Sequence, residues 1–306
     1  MARERYAAQV ALLVHALPII ADEPHFALKG GTAINLFYRN MPRLSVDIDL
    51  TYVPLDERAT ALANIDAAFD RMIERARQLL SGVDTHRISG GGAGDTRLLL
   101  RLAEAEVKVE VSPVLRGTVA PPRMMRVTDA VEEAFGFAET LVFDFEDLYA
   151  GKLCAALDRQ HPRDLYDVHL LYEHEGVTDD LFRTFLVYAA CSGRPLHELI
   201  APNRLAIDRA FAQEFDGMTI EHVPLATLLA ARERLIEDIG ARATGAAAEF
   251  LLSVHDAEPD FGLIGLPDAA QLPAIKWKLL NLRKLKDANP EKHADQRARL
   301  AAALRI

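Results

Sequence analysis

The sequence predicts an α+β chain in which a sheet-bearing N-terminal half is followed by a helical C-terminal half. Three observations carry that reading. Apolar and polar residues alternate, the period of a half-buried strand, over residues 45–53, 97–102 and 106–114. After Pro121-Pro122 the apolar residues recur at helical spacing almost to the end of the chain. The chain has 306 residues, enough for two cores, and the change of texture places the domains at 1–145 and 146–306.

Taken in order, residues 5–21 read as an amphipathic helix, 25–29 as a short strand, and 31–38 as a helix ended near Asn40-Met41-Pro42. The strand over 45–53 follows, then a long surface helix over 57–80, whose Ala61, Ile65, Ala68, Phe69, Met72, Ile73 and Leu79 fall at helical intervals. Residues 83–89 read as a strand. The run Gly90-Gly91-Gly92-Ala93-Gly94-Asp95 lacks the Lys-Ser/Thr end of a phosphate loop and has strands on both sides, so it reads as a hairpin connection. A last short strand over 141–143 leads into a helix with Leu148, Leu153, Ala156 and Leu157 on one stripe and Lys152 off it. Pro162 opens the next helix after a tight turn, so Lys152 and Asp167 stand on two successive helices.

Composition narrows the class. With 50% hydrophobic and 26% charged residues the chain is an ordinary globular one. Its longest apolar stretch, residues 7–21, is interrupted by His15 and Pro18, is shorter than a membrane span and lacks the flanks of a signal peptide. Cys154 and Cys191 show neither metal spacing nor a disulfide framework, and the ten histidines form no zinc pattern, which points to a reducing cytoplasm without zinc. A net charge of −10 argues against nucleic-acid binding by the whole surface. The stretch from Lys276 to Arg299, however, carries eight basic residues against Asp287, Glu291 and Asp295. It suits either a solvated amphipathic helix or contact with a phosphate backbone.

The chemistry concentrates at Lys29-Gly30-Gly31-Thr32 and at Asp47-Ile48-Asp49. In a strand, side chains at i and i+2 share a face, so the two carboxylates project together as a hard oxygen site for Mg2+, while Val46, Ile48 and Leu50 face a core. A glycine turn at a helix start offers backbone N–H groups to phosphate, and the Thr32 hydroxyl adds another donor. The bland alternative is an exposed sheet edge whose acids merely face water. Glu110 shares its strand face with Lys108 and Ser112 and is a candidate third carboxylate. Lys152 could hold a triphosphate as a point charge; alternatively, Arg163, Asp164 and Asp167 form a surface ion-pair network.

The blocks Lys29-Gly30-Gly31-Thr32-Ala33-Ile34 and Pro42-Arg43-Leu44-Ser45-Val46-Asp47-Ile48-Asp49-Leu50 resemble motif I of the AbiEii/AbiGii nucleotidyltransferase toxins, which include the MenT-like toxins of the DNA polymerase β-like superfamily. Lys152 followed by Arg163-Asp164-Leu165-Tyr166-Asp167 is similar to the family's later block, a helical lysine and R-D-x-x-D. The likeness covers residues 25–172, with a further similarity at Lys276-Trp277-Lys278 and Asn281-Leu282.

The resemblance implies an N-terminal mixed-sheet nucleotidyltransferase domain and a helical C-terminal domain. Asp47, Asp49 and Glu110 would bind two Mg2+ ions, about 3.5–4 Å apart in such sites. Gly30, Gly31, Thr32, Lys152 and Arg163 would bind the NTP, and Asp167 would orient the lysine or the nucleotide. Threonine stands where the superfamily commonly has serine, and Glu110 where aspartate is commoner. Family likeness further implies a toxin of a type IV-like toxin–antitoxin or abortive-infection system. Such a toxin would transfer a nucleoside monophosphate to an RNA acceptor, the tRNA 3′ end first among them, block translation, and have a separately encoded antitoxin and no membrane partner. The alternatives are the same chemistry on a protein (AMPylation) or a small molecule, and nucleotide binding without turnover.

Overall fold

A computed structural model describes residues 2–89 and 95–306, and the chain divides into two compact units, Met1–Asp144 and Phe145–Ile306. The first unit holds α1 (Ala2–Ala21), β1 (Phe26–Lys29) and α2 (Gly30–Ala33), which runs on as a π-helical turn over Ile34–Tyr38. After these come β2 (Asp47–Tyr52), α3 (Arg58–Leu79), β3 (Asp84–Ser89), β4 (Asp95–Leu102), β5 (Ala105–Val111), β6 (Arg123–Arg126), α4 (Asp129–Phe135) and β7 (Glu139–Val142). The strands form one mixed sheet in the order β3-β4-β5-β2-β1-β7-β6. Pairing is parallel between β2 and β5 and between β1 and β7, and antiparallel elsewhere. The connection over residues 90–94, read from the sequence as a hairpin, lies outside the described residues; β3 and β4 on either side of it pair antiparallel.

Alternation decides which face is buried. Ile48, Leu50, Val107, Val109 and Val111 point into the core, while Asp47, Asp49, Lys108 and Glu110 emerge on the other face. α1 covers β5 and β7, and α3 packs on α1 and β4 through Ile65, Phe69 and Met72. Two expectations change here. α1 is buried on most sides, with Val10, Leu13, Leu17 and Ile20 fully covered, so it is apolar nearly all round rather than amphipathic. The stretch after Pro122, expected to be helical, first adds the edge strand β6, which exists by pairing Arg123 with Val142 and Arg126 with Glu139.

The second unit is helical: α5 (Phe145–Asp158), α6 (Pro162–His174), α7 (Asp179–Cys191), α8 (Leu196–Ile200), α9 (Asp208–Glu214), α10 (Leu225–Arg242), α11 (Ala246–His255), α12 (Pro273–Ala288) and α13 (Pro290–Leu304). Its core is Tyr149, Leu153, Leu165, Phe185, Leu235 and Phe250. The basic stretch expected as one helix over 276–299 is two, because Pro290 cannot continue α12 and instead opens α13, where Asn289 Oδ1 accepts from Lys292 N at 2.9 Å. Lys278 is not on the solvated face either: it is buried and donates to the carbonyls of Ser192 and Arg194 at 2.8 and 2.6 Å. Among the described residues no helix is long and apolar enough to cross a membrane.

Candidate active site

β2 lies between β1 and β5, so its two aspartates are not on an exposed edge. Their carboxylates share the open face of the sheet, where pairing sets Asp49 opposite Glu110 and Asp47 opposite Lys108. Lys108 stands among the acids, its Nζ 3.0 Å from Glu110 and 3.9 Å from Asp47, and Arg97 Nε approaches Glu110 at 3.2 Å. Lys29 is the antiparallel partner of Asp49.

Burial and charge set the protonation tendencies. Burial pushes the Asp49 carboxyl above the ordinary carboxylate range, with Lys29 opposing and Asp47 adding to the rise. At Glu110 burial works the same way, but the hydrogen bond and charge of Lys108, with Arg97, outweigh it and hold the group low. Burial also lowers Lys29, against the pull of Asp49 and Glu110.

The glycine turn is fitted to this cluster. Gly30 has φ +76°, and a Cβ there would lie 2.6 Å from Asp49 Oδ2, so only glycine lets the chain pass the carboxylate. A Cβ on Gly31 would meet Arg43 Nη2 at 2.6 Å and Ser45 Oγ at 3.0 Å. Thr32, buried, donates its hydroxyl proton to the Asp47 carbonyl at 2.5 Å, which makes Ser45 the donor in their 3.1 Å contact. Asn35 completes the brace by donating to Gly31 O at 2.7 Å and accepting from Arg43 N.

The donor chemistry suits a divalent metal: Asp47 and Asp49 are hard oxygen donors on one face of β2. The third carboxylate is engaged by Lys108 and Arg97, and no group of three ligands converges on one point among the described residues. The residues therefore fit a cation held first by the two aspartates, with Lys108 in the place of a positive charge.

In the helical unit, Lys152 on α5 is 7% exposed and bonds Asp164 at 2.8 Å and Asp167 at 3.0 Å, both carboxylates being fully buried. Arg159 adds a second cation to Asp164 at 2.5 Å. Burial would raise Asp164, yet Lys152 and Arg159 outweigh it and hold this carboxyl well below the ordinary range. The network is thus buried rather than superficial, and its cations are Lys152 and Arg159. Arg163 sits in the first turn of α6, where its N–H is capped by His161 Nδ1 at 3.2 Å.

A profile described as nucleotidyl transferase AbiEii toxin, type IV toxin–antitoxin system, matches residues 11–280. The chain belongs to this family. The AbiEii assignment makes it a transferase of nucleotidyl groups and the toxin of a system that includes a separate antitoxin. Its fold is similar to that of MenT4, the nucleotidyltransferase toxin Rv2826c from Mycobacterium tuberculosis H37Rv, with a TM-score of 0.56 at 18% identity over 90% of this chain and 93% of that one. Among curated proteins none matches the chain.

Of the residues singled out from sequence, Gly30, Gly31, Thr32, Asp47, Asp49 and Glu110 come together in the sheet unit of this AbiEii toxin, and Lys152 and Asp167 in its helical unit. Sequence reasoning passed over Lys29, Arg97 and Arg43 as site residues, and treated Lys108 only as a neighbour of Glu110. The signal for Lys29 and Lys108 was their position beside the motif residues; Arg97 becomes visible only through the register of β4. Asp164, within R-D-x-x-D, was expected only as part of a surface ion-pair network with Arg163 and Asp167; it is instead a buried partner of Lys152.

Proposed function

We propose that this AbiEii toxin transfers a nucleoside monophosphate from an NTP to the 3′-terminal hydroxyl of an RNA, tRNA first among acceptors, and so blocks translation in the cytoplasm. The observation that carries the proposal is the pair Asp47 and Asp49 on an interior strand, with the glycine turn packed against them. Asp47 and Asp49 would hold Mg2+, joined by Glu110 through Oε2 if Lys108 releases it. When bound, the metal would neutralise the triphosphate and acidify the acceptor hydroxyl.

The chain's own residues do the rest by positioning and charge. The backbone N–H groups at Gly30 and Gly31 face the phosphates, with Thr32 fastening that turn to Asp47. Glu110 accepts the hydrogen bond of the attacking hydroxyl. The acceptor oxygen forms a bond to the α-phosphorus as the bond from that phosphorus to the β-phosphate's bridging oxygen breaks; pyrophosphate leaves, and the hydroxyl proton passes to Glu110 or water. Lys152, Arg163 and Asp167 are assigned to the nucleotide on their match to the family's second block.

The test is incubation with Mg2+, each labelled NTP in turn and total tRNA. The expected result is labelled RNA, absent with Asp49→Ala; labelled protein and unlabelled RNA would replace the proposal with its alternative. That alternative, transfer to a protein or small-molecule hydroxyl, draws support from the net charge of −10 and from the internal engagement of Lys278 and Arg297, which bind Ser192 O and Asp256.

A further inference from the structure

We infer that the space beside Asp49 and Glu110 seats the last phosphodiester of the acceptor strand, with Arg97 as the residue that grips it. This rests on the reading of the chain as an RNA nucleotidyltransferase. A cavity of about 300 Å³ opens on the polar face of the sheet, a volume at the small end of ligand sites. Four charged residues cross it in register. Lys29 pairs with Asp49, Asp49 with Glu110 and Glu110 with Arg97, so the row runs cation, acid, acid, cation over β1, β2, β5 and β4. Ser112, two residues beyond Glu110 and so on its face, also lines it.

Arg97 stands at the end of the row away from the glycine turn. The glycine turn reaches the aspartates from the β1 side, through Gly30 at Asp49 and Thr32 at Asp47. The cavity begins at Lys29 on β1 and runs in the strand order past Asp49 and Glu110 to Arg97. Its charged row sums to zero, which suits the single negative charge of a diester better than the several charges of a triphosphate. An RNA end presents a hydroxyl and, one sugar away, a diester anion. Glu110 and Arg97, adjacent in register, offer an acceptor for the first and a donor fork for the second. Arg97 is 44% exposed and meets Glu110 through Nε at 3.2 Å, and a guanidinium has further N–H groups with which to take a phosphate oxygen while keeping that contact.

The test uses the full chain in EDTA without NTP, with a short 5′-fluorescein RNA ending in a 3′ hydroxyl, read by fluorescence anisotropy over a range of salt. Arg97→Gln is expected to weaken binding about tenfold and to reduce the salt slope by about 0.7, the loss of one single-strand phosphate contact. Arg97→Lys recovers only part, since an ammonium lacks the planar fork. In the transfer assay the acceptor KM rises about tenfold and the NTP KM holds. Wild-type RNA affinity and salt slope in Arg97→Gln, or a raised NTP KM in place of a raised acceptor KM, overturns the inference. If Arg97→Gln does not fold, Ser112→Asp, which sets a like charge on the lining, must give the same loss of RNA affinity or the inference fails. A wild type that labels protein and never RNA refutes the proposed function. A wild type that labels RNA, with Arg97→Gln doing so at unchanged acceptor KM, refutes this inference alone.

Discussion

In the sheet unit Asp47 and Glu110 lie with Lys108 and Arg97 on a partly open face, at separations of 3.0–3.9 Å, whereas in the helical unit Asp164 and Asp167 enclose Lys152 at 2.8–3.0 Å out of solvent. Both clusters are made of the same kinds of side chain, but solvent access separates what they can do. An acid on an open face can exchange one cation for another at small cost, because water compensates each charge as it is released. A buried acid has no such alternative, so losing its partner leaves an uncompensated charge. The first cluster suits the proposed exchange of ligands, while the second ties α5 to α6.

The widest separation of the two is expected from Asp49→Asn. It keeps the shape beside Gly30 but removes the charge proposed to hold a cation, so labelled-NTP incorporation is expected to fall about 10³-fold. Its melting temperature is expected to stay at or above wild type, because an amide is cheaper to bury than the acid. A large drop in melting temperature would place Asp49 with the structural cluster instead. Lys152→Met is expected to do the reverse, costing about 3–5 kcal/mol in a denaturant melt by removing the cation buried between Asp164 and Asp167. Restored stability in Lys152→Met/Asp164→Asn/Asp167→Asn would confirm the cause.

Acid titration sharpens the contrast further. Asp164 is held below the ordinary carboxylate range, so its stabilisation is complete above the unfolded value of about 3.9 and is lost as the pH falls from there toward the folded one. Melting temperature against pH should therefore fall less steeply in acid for Asp164→Asn than for wild type; parallel curves would refute the coupling. The smallest effect is expected at the turn, where Thr32→Ala frees the Asp47 carbonyl at about 1 kcal/mol. Thr32→Ser should keep both stability and transfer, and equal loss in the two variants would show that the methyl group rather than the hydroxyl matters.

Much of this was legible from local pattern. Asp47 and Asp49 stand out because a spacing of two is a statement about one strand, and alternation around Val107, Val109 and Val111 marks β5 without reference to any partner. β6 was illegible for the opposite reason: Arg123-Met124-Met125-Arg126 has no buried face of its own and is a strand only because β7 offers it a free edge. Arg97 and Lys29 stayed without a role, and Asp164 was placed in a surface network, because each depends on which residue a separate element sets opposite it.

The sequence by itself determined the elements and the acids, since hydrophobic period, glycine and carboxylate spacing act within a few residues of one another. The tertiary structure alone decided that β2 is interior and that Arg97 and Lys29 flank the acids. It also decided that Lys152 is sealed between two aspartates and that Lys278 is spent on backbone carbonyls. Register and burial are properties of pairs of elements far apart in the chain, and the charge a side chain carries, or can give up, depends on them.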